Sequence, residues 1–181
     1  MSEKNKNASL KSLVVLCSIC LIVATLLAAI YSITAPRIAA DEARAEREAL
    51  QSVLPEAVDF LRVEGDYPDT VKSVWRDTGG CGYAVMLSVK GYDSSKPMSV
   101  AVGFDGNGAV RECRVVSALG ETVGIGTRVM DKSFLDQFVG KDHTLDGVDT
   151  ISGATISSSA LVRAVSDAAY AVMTVKEGAH E

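Results

Sequence analysis

The chain is 181 residues long, with a formal net charge of −5 and 48% hydrophobic residues. That length allows one membrane anchor and one domain. The first twelve residues set three lysines against one glutamate, so the remainder is more acidic than the whole, and an acidic domain without a basic stripe excludes nucleic acid as an expected partner.

Met1 to Ser12 is polar and reads as a disordered cytoplasmic tail, residues 1–12. Leu13 to Thr34 then runs without charge, proline or glycine. As a helix it would span roughly 33 Å, enough to cross a hydrocarbon core of about 30 Å. The run is too long for the apolar core of a cleaved signal peptide, and neither Cys17 nor Cys20 follows the small residue that a lipoprotein cleavage site needs. A single uncleaved membrane helix is therefore expected over 13–35. Lys4, Lys6 and Lys11 ahead of it favour a cytoplasmic N-terminus, which puts the C-terminal domain outside the cytoplasm; Arg37, Arg44 and Arg47 beyond it weaken that asymmetry. Cys17 and Cys20 are too few ligands for an iron–sulfur cluster and fit a helix–helix contact as small apolar residues.

After Pro36, Ile38 to Leu54 is rich in alanine, glutamate and arginine, and Pro55 stops it. This segment reads as a helical stalk in a linker of residues 36–70. From Val71 the period falls to two. Tyr83, Val85, Leu87 and Val89 alternate with Ala84, Met86, Ser88 and Lys90, and Met98, Val100, Val102 and Phe104 alternate likewise after the polar break Tyr92-Asp93-Ser94-Ser95. Asp105-Gly106-Asn107-Gly108 supplies positive-φ residues for a hairpin turn, and Ala109 to Val116 returns. Three consecutive antiparallel strands with one buried face follow. Cys81 and Cys113 fall in this strand region and are expected as free thiols, because a core of this size needs no disulfide.

Glycines then cluster at Gly120, Gly124 and Gly126, and Ser133 to Val139 reads as a short helix that Ser133 caps. A loop through Gly140 and Gly147 leads to Asp149-Thr150-Ile151-Ser152-Gly153-Ala154-Thr155, which runs into a final helix with Leu161, Val162, Val165, Ala168, Ala169, Val172 and Met173 on one stripe. Strands first and helices at the ends make an α+β domain over 71–176, an antiparallel sheet packed by helices, with a tail at 177–181. His143 reads as a loop residue and His180 as part of the frayed tail; no His, Cys or carboxylate spacing suggests a metal site.

The chemistry-bearing residues lie in two patches. Gly153 and Ala154 let backbone approach a bulky phosphate, and Thr155 offers a hydroxyl where unpaired helix N–H groups and the helix dipole favour an anion. By itself this context also fits a plain Asx turn at Asp149 with Ser157 as helix cap. A free threonine is a poor nucleophile, and of the histidines and lysines only His143 lies nearby in sequence to activate it. The second patch, Gly120-Glu121-Thr122-Val123-Gly124-Ile125-Gly126-Thr127-Arg128, is a glycine-rich loop whose default reading is a turn.

Asp149-x-x-Ser152-Gly153-Ala154-Thr155 resembles the flavinylation motif of the FMN-binding subunits of the Rnf and Na⁺-translocating NADH:quinone oxidoreductase complexes. The resemblance implies FMN joined through its phosphate to Thr155, with Asp149, Ser152, Gly153 and Ala154 shaping the site and a separate flavin transferase making the bond. The second patch resembles the family's Glu-Thr-Pro-Gly-Leu-Gly loop, which implies that Glu121, Thr122, Gly124, Ile125 and Gly126 cradle the isoalloxazine ring. Val123 stands where the family has proline, which frees φ and loosens the loop; Ile125 stands where leucine is common. The likeness covers the membrane anchor and nearly all of residues 71–175, and the short length is closer to the smaller, Rnf-type members. It implies a membrane-anchored electron carrier in a ferredoxin:NAD⁺ oxidoreductase coupled to Na⁺ or H⁺ transport, with no catalytic residue of its own and other membrane and soluble subunits as partners. The quinone-linked complex, a stand-alone flavin carrier and a non-redox membrane scaffold remain alternatives. The chain has neither a dinucleotide fingerprint nor enough cysteines for clusters, so NADH and ferredoxin are expected to bind elsewhere.

Overall fold

The computed structural model describes residues 3–178, so His180 lies outside the described residues. Helix α1 covers Glu3–Val53, with Pro36 inside it. Its segment from Leu13 is long and apolar enough to cross a membrane. Residues 3–12, expected to be disordered, are helical, since extending an existing helix costs little per residue. The chain divides into two compact units, Met1–Ala45 and Glu46–Glu181.

The first unit is helix alone. The second opens with the last turns of α1, followed by β1 (Phe60–Val63), β2 (Val71–Asp77), β3 (Gly82–Val89), β4 (Met98–Asp105) and β5 (Val110–Ser117). These form one antiparallel sheet in sequence order. Two short 3₁₀ turns, Gly126–Met130 and Asp136–Phe138, flank α2 (Lys132–Leu135), and α3 covers Thr155–Gly178. The three strands read from alternation are the centre and one edge of the sheet. Sequence periodicity did not name β2 as a strand, although the change of period begins at its first residue, Val71, and it missed β1, a four-residue edge strand whose residues are all half-buried or exposed.

One sheet face carries the main core. Val85, Leu87, Val100 and Phe104 pack there against Leu161, Val165 and Val172 of α3. Ala164 and Ala171 join the buried stripe of α3, whereas Met173 is exposed. The other face was expected to be open, and here the structure differs. Ala49, Leu50 and Val53 at the end of α1 cover Ala84, Met86 and Ala101. The approach is close enough that a Cβ on Gly103 would overlap the Val53 carbonyl. The end of α1 from Glu46 therefore belongs to the domain and is not stalk, with Ala49, Leu50 and Val53 in its core. Glu46 accepts the Ser73 hydroxyl (2.6 Å), and Ser73 in turn accepts the Trp75 indole N–H (3.0 Å), so the polar atoms along this contact are paired.

Three smaller expectations are corrected. Cys81 lies just before β3, outside the strand, whereas Cys113 is in β5. Both are free thiols, and burial pushes Cys113 up to about 12, which makes it unreactive. Ser133 sits inside α2, whose cap position is Asp131. Of the hairpin residues, only Gly108 takes a positive φ, while Asp105 accepts the Asn107 and Ala109 N–H groups (2.8 and 2.9 Å). Buried Asp77 ties the loop before β1 to the β2–β3 turn by accepting N–H bonds from Val58 and Cys81, both 2.9 Å. Burial alone would raise its pKa, but a hydrogen bond from the Cys81 thiol, together with the Cys81, Gly79 and Val58 N–H groups, holds the carboxyl well below its ordinary range.

Candidate functional site

The first turn of α3 begins at Thr155. Ala154 precedes it with its carbonyl accepting the Ser158 N–H (2.9 Å), so the N–H groups of Thr155, Ile156 and Ser157 lack helical partners and point outward from the N-terminus. Gly153, at φ +85°, turns the chain into the helix with open space where a side chain would stand. The Thr155 hydroxyl is exposed and has no hydrogen-bond partner among the described residues. Its neighbours are occupied: Ser158 donates to the Ala154 carbonyl (2.9 Å) and accepts the Ile151 N–H (3.1 Å), while Ser159 donates to the Thr155 carbonyl (2.5 Å). The serines after the motif thus hold the turn and leave the threonine free.

Neither element of the plain capping alternative is what holds this turn. Ser157 lies inside the helix and donates its hydroxyl to Glu121, while Asp149 contributes its backbone N–H to Gln137 Oε1 (2.9 Å). The turn is fixed by Ser158.

The glycine-rich segment forms the facing wall. Ile125 N–H and Thr127 N–H both reach the Thr122 carbonyl (3.1 and 3.2 Å), and Gly124 N–H donates to Thr127 Oγ1 (2.9 Å). Those three bonds brace the loop on either side of Val123. Gly124 takes φ +78°, a conformation that a side chain would strain. Val123 and Ile125 project outward, 88% and 52% exposed, and make an apolar rim.

Between the walls lies a cleft of about 470 Å³. Gly153, Ala154, Thr155, Ile156 and Ser157 line one side of it, Glu121, Thr122, Ile125 and Gly126 the other, and Tyr92 completes the lining. Seven of the ten residues named from the sequence line this cleft; Asp149, Ser152 and Gly124 stand outside its lining. Glu121 is placed differently from a ring contact. It is 7% exposed, with one oxygen accepting the Tyr92 N–H (3.0 Å) and the other the Ser157 hydroxyl. Tyr92 and Ile156 escaped the sequence reading, and Ser157 entered it only as a possible helix cap. For Ser157 the run of three serines was a signal; for Tyr92, in a polar break far from both patches, none exists.

The cleft can hold an extended, partly planar ligand with an anionic end. Its volume falls in the range of cofactor sites. Backbone N–H groups and the dipole at the α3 N-terminus receive the anion. Apolar side chains and glycine-exposed backbone face the remainder. FMN fits this donor set.

A model of the FMN-binding domain family matches residues 91–170, a span that starts at the residue before Tyr92 and includes both walls. A model described as the RnfG N-terminal region matches residues 1–53, the whole of α1. The chain is 29% identical over 175 residues to the G subunit of the proton-translocating ferredoxin:NAD(+) oxidoreductase complex of Clostridium ljungdahlii, covering 88% of this chain and 89% of that protein. It is 31% identical over 181 residues to the G subunit of the ion-translocating oxidoreductase complex of Methanosarcina acetivorans, covering 87% and 91% respectively.

Proposed function

The chain belongs to the RnfG family of Rnf complex subunits, and on that premise we propose that it is a flavoprotein subunit of an ion-translocating ferredoxin:NAD⁺ oxidoreductase, carrying FMN as a phosphoester on Thr155. One observation carries this reading: an exposed, unpartnered threonine hydroxyl at a helix N-terminus opens into the same cleft as the Glu121–Gly126 loop.

When bound, FMN supplies the electron-carrying chemistry, which no side chain here provides. The protein's part is attachment, orientation and shielding. Attachment needs the Thr155 oxygen to bond to phosphorus while its proton leaves. Among the described residues no base is bonded to the hydroxyl, so on this reading a separate transferase supplies the base and an activated FMN phosphoanhydride whose other phosphate departs. The N–H groups at Thr155, Ile156 and Ser157 would receive the phosphate oxygens. Thr122, Ile125 and Gly126 would hold the ring, and Ile125 and Ile156 would reduce its contact with water. A covalent tether suits a domain outside the cytoplasm, where a dissociating cofactor would be lost.

The apolar run of α1 fits a single-pass membrane protein. Three lysines ahead of it favour a cytoplasmic N-terminus, which supports an orientation with the domain on the opposite side. Other subunits of the complex would bind NADH and ferredoxin and exchange electrons with the tethered flavin.

Intact mass of the natively expressed chain tests the assignment. A mass increased by FMN less one water, with fluorescence that survives a denaturing gel, is expected; the unmodified mass overturns it. Topology is tested by a reporter fused after Glu181. Active alkaline phosphatase is expected, and an inactive phosphatase beside a bright cytoplasmic fluorescent reporter reverses the orientation.

A further inference from the structure

Glu121 stands out because a carboxylate is almost wholly removed from water at the floor of a cleft, yet both of its oxygens face inward to the protein. One oxygen takes the Tyr92 N–H from the β3–β4 loop (3.0 Å), and the other takes the Ser157 hydroxyl from the first turn of α3. Its own backbone N–H is held by the Ala118 carbonyl (3.1 Å), anchoring the start of the glycine-rich loop. Three segments that line the cleft therefore meet on a single side chain. The site is built to receive it. A Cβ on Gly91 would overlap one carboxylate oxygen, and a Cβ on Gly126 would lie 2.5 Å from the other. Ser157 is the third residue of α3, where the helix dipole favours a negative group, so this buried carboxylate has a hydroxyl, an N–H and a helix N-terminus as compensation.

We propose, resting on the flavin reading of this cleft, that Glu121 is a positioning residue which joins the tether-bearing helix to the ring-facing loop and sets the gap between them, without touching the flavin. Each oxygen of Glu121 already accepts a protein donor, so the Tyr92 N–H and the Ser157 hydroxyl, and not a ligand, set the orientation of the carboxylate. Because Thr155 and Ser157 share one helical turn, holding Ser157 against the loop fixes where the flavin chain starts relative to where the ring must lie. The tether permits many ring placements; the clamp selects one.

The test uses the full chain matured in its native host, with two readouts. Fluorescence on a denaturing gel reports covalent flavin. Absorption and fluorescence anisotropy of the folded protein report how firmly the ring is held. Glu121→Ala is expected to keep its covalent flavin while anisotropy falls and the spectrum drifts towards free FMN. Glu121→Gln should restore both, because its amide oxygen can accept from Tyr92 and its NH₂ can donate to Ser157. Gly91 does not line the cleft, and a Cβ there overlaps the carboxylate while meeting the flexible end of Met98 only at 3.2 Å, so Gly91→Ala acts chiefly by displacing the carboxylate and should reproduce the Ala phenotype. Ser157→Ala removes one arm, keeps a good helix former, and should give a smaller change in the same direction; it and Gly91→Ala carry the test if Glu121→Ala does not fold. Wild-type anisotropy and spectrum in all of the folded variants overturn the proposal. So does loss of covalent flavin from folded Gly91→Ala or Ser157→Ala, which would make the clamp part of the attachment machinery. A wild-type chain without covalent flavin overturns the underlying flavin reading, and this inference with it.

Discussion

The two walls of the cleft are built in opposite ways. Apart from the Ser157 bond that the two walls share, the Thr155 wall is local: its side-chain bonds run from Ser158 and Ser159 back to Ile151, Ala154 and Thr155, and the longest of these spans seven positions. The Glu121 wall combines a local knot around Thr122 and Thr127 with bonds that reach 29 positions to Tyr92 and 36 to Ser157. An attachment point can be local because a transferase needs only a presented hydroxyl. A ring site cannot, since it must stand at a fixed distance from that hydroxyl, and only a contact between distant segments sets such a distance.

The sharpest way to break this division is Thr155→Ala. We expect complete loss of covalent flavin on a denaturing gel, with stability changed by less than about 0.5 kcal/mol because an exposed hydroxyl at a helix start contributes little to packing. A flavinylated peptide mapped to Ser157 or Ser158 in the wild type would move the attachment point. The next largest effect is thermodynamic and lies away from both walls. Leu50→Ala opens a hole on the far face of the sheet and should cost about 2–5 kcal/mol in denaturant unfolding while leaving the flavin spectrum of the folded protein unchanged. A spectral change there would mean that the cleft is not independent of the α1 contact.

Gly124→Val tests the loop wall by itself. A branched side chain at φ +78° should cost about 1–2 kcal/mol. Flavin should stay attached, while its absorption and midpoint potential move towards those of free FMN. Retention of the wild-type spectrum and potential would show that the loop does not face the ring; loss of the covalent flavin would place the loop on the transferase's recognition surface. Smallest is Thr127→Val, which removes the acceptor of the Gly124 N–H. That N–H is exposed and water can replace the bond, so the cost should stay below about 1 kcal/mol. A modest fall in flavin anisotropy, without loss of attachment, is the expected reading.

The legibility of the molecule follows the same local and long-range division. Strands β3, β4 and β5 were readable because strict alternation places one set of residues on one face. The far face misled because Ala84, Met86 and Ala101 are too small or adaptable to declare which partner buries them, and the partner is a helix end more than thirty positions earlier. Strand β1 was invisible because four edge residues, all half-buried or exposed, carry no periodic signal. The Thr155 turn was legible as a string, though its hydrogen-bonding roles were not: Asp149 and Ser157 were given the turn and the cap that Ser158 and Ala154 hold.

By itself, then, the sequence determined what depends on neighbours in the chain: an apolar run long enough to cross a membrane, the alternation that makes a sheet, and a small-residue turn that leaves a threonine hydroxyl at the start of a helix. Only the tertiary structure decided that the end of α1 from Glu46 belongs to the domain, that Tyr92 joins the cleft, and that protein donors orient Glu121. Those outcomes depend on which segments the folded sheet brings within a few ångströms of each other. A carboxylate with no unusual local setting reveals its role only when the donors from two distant segments are in place around it.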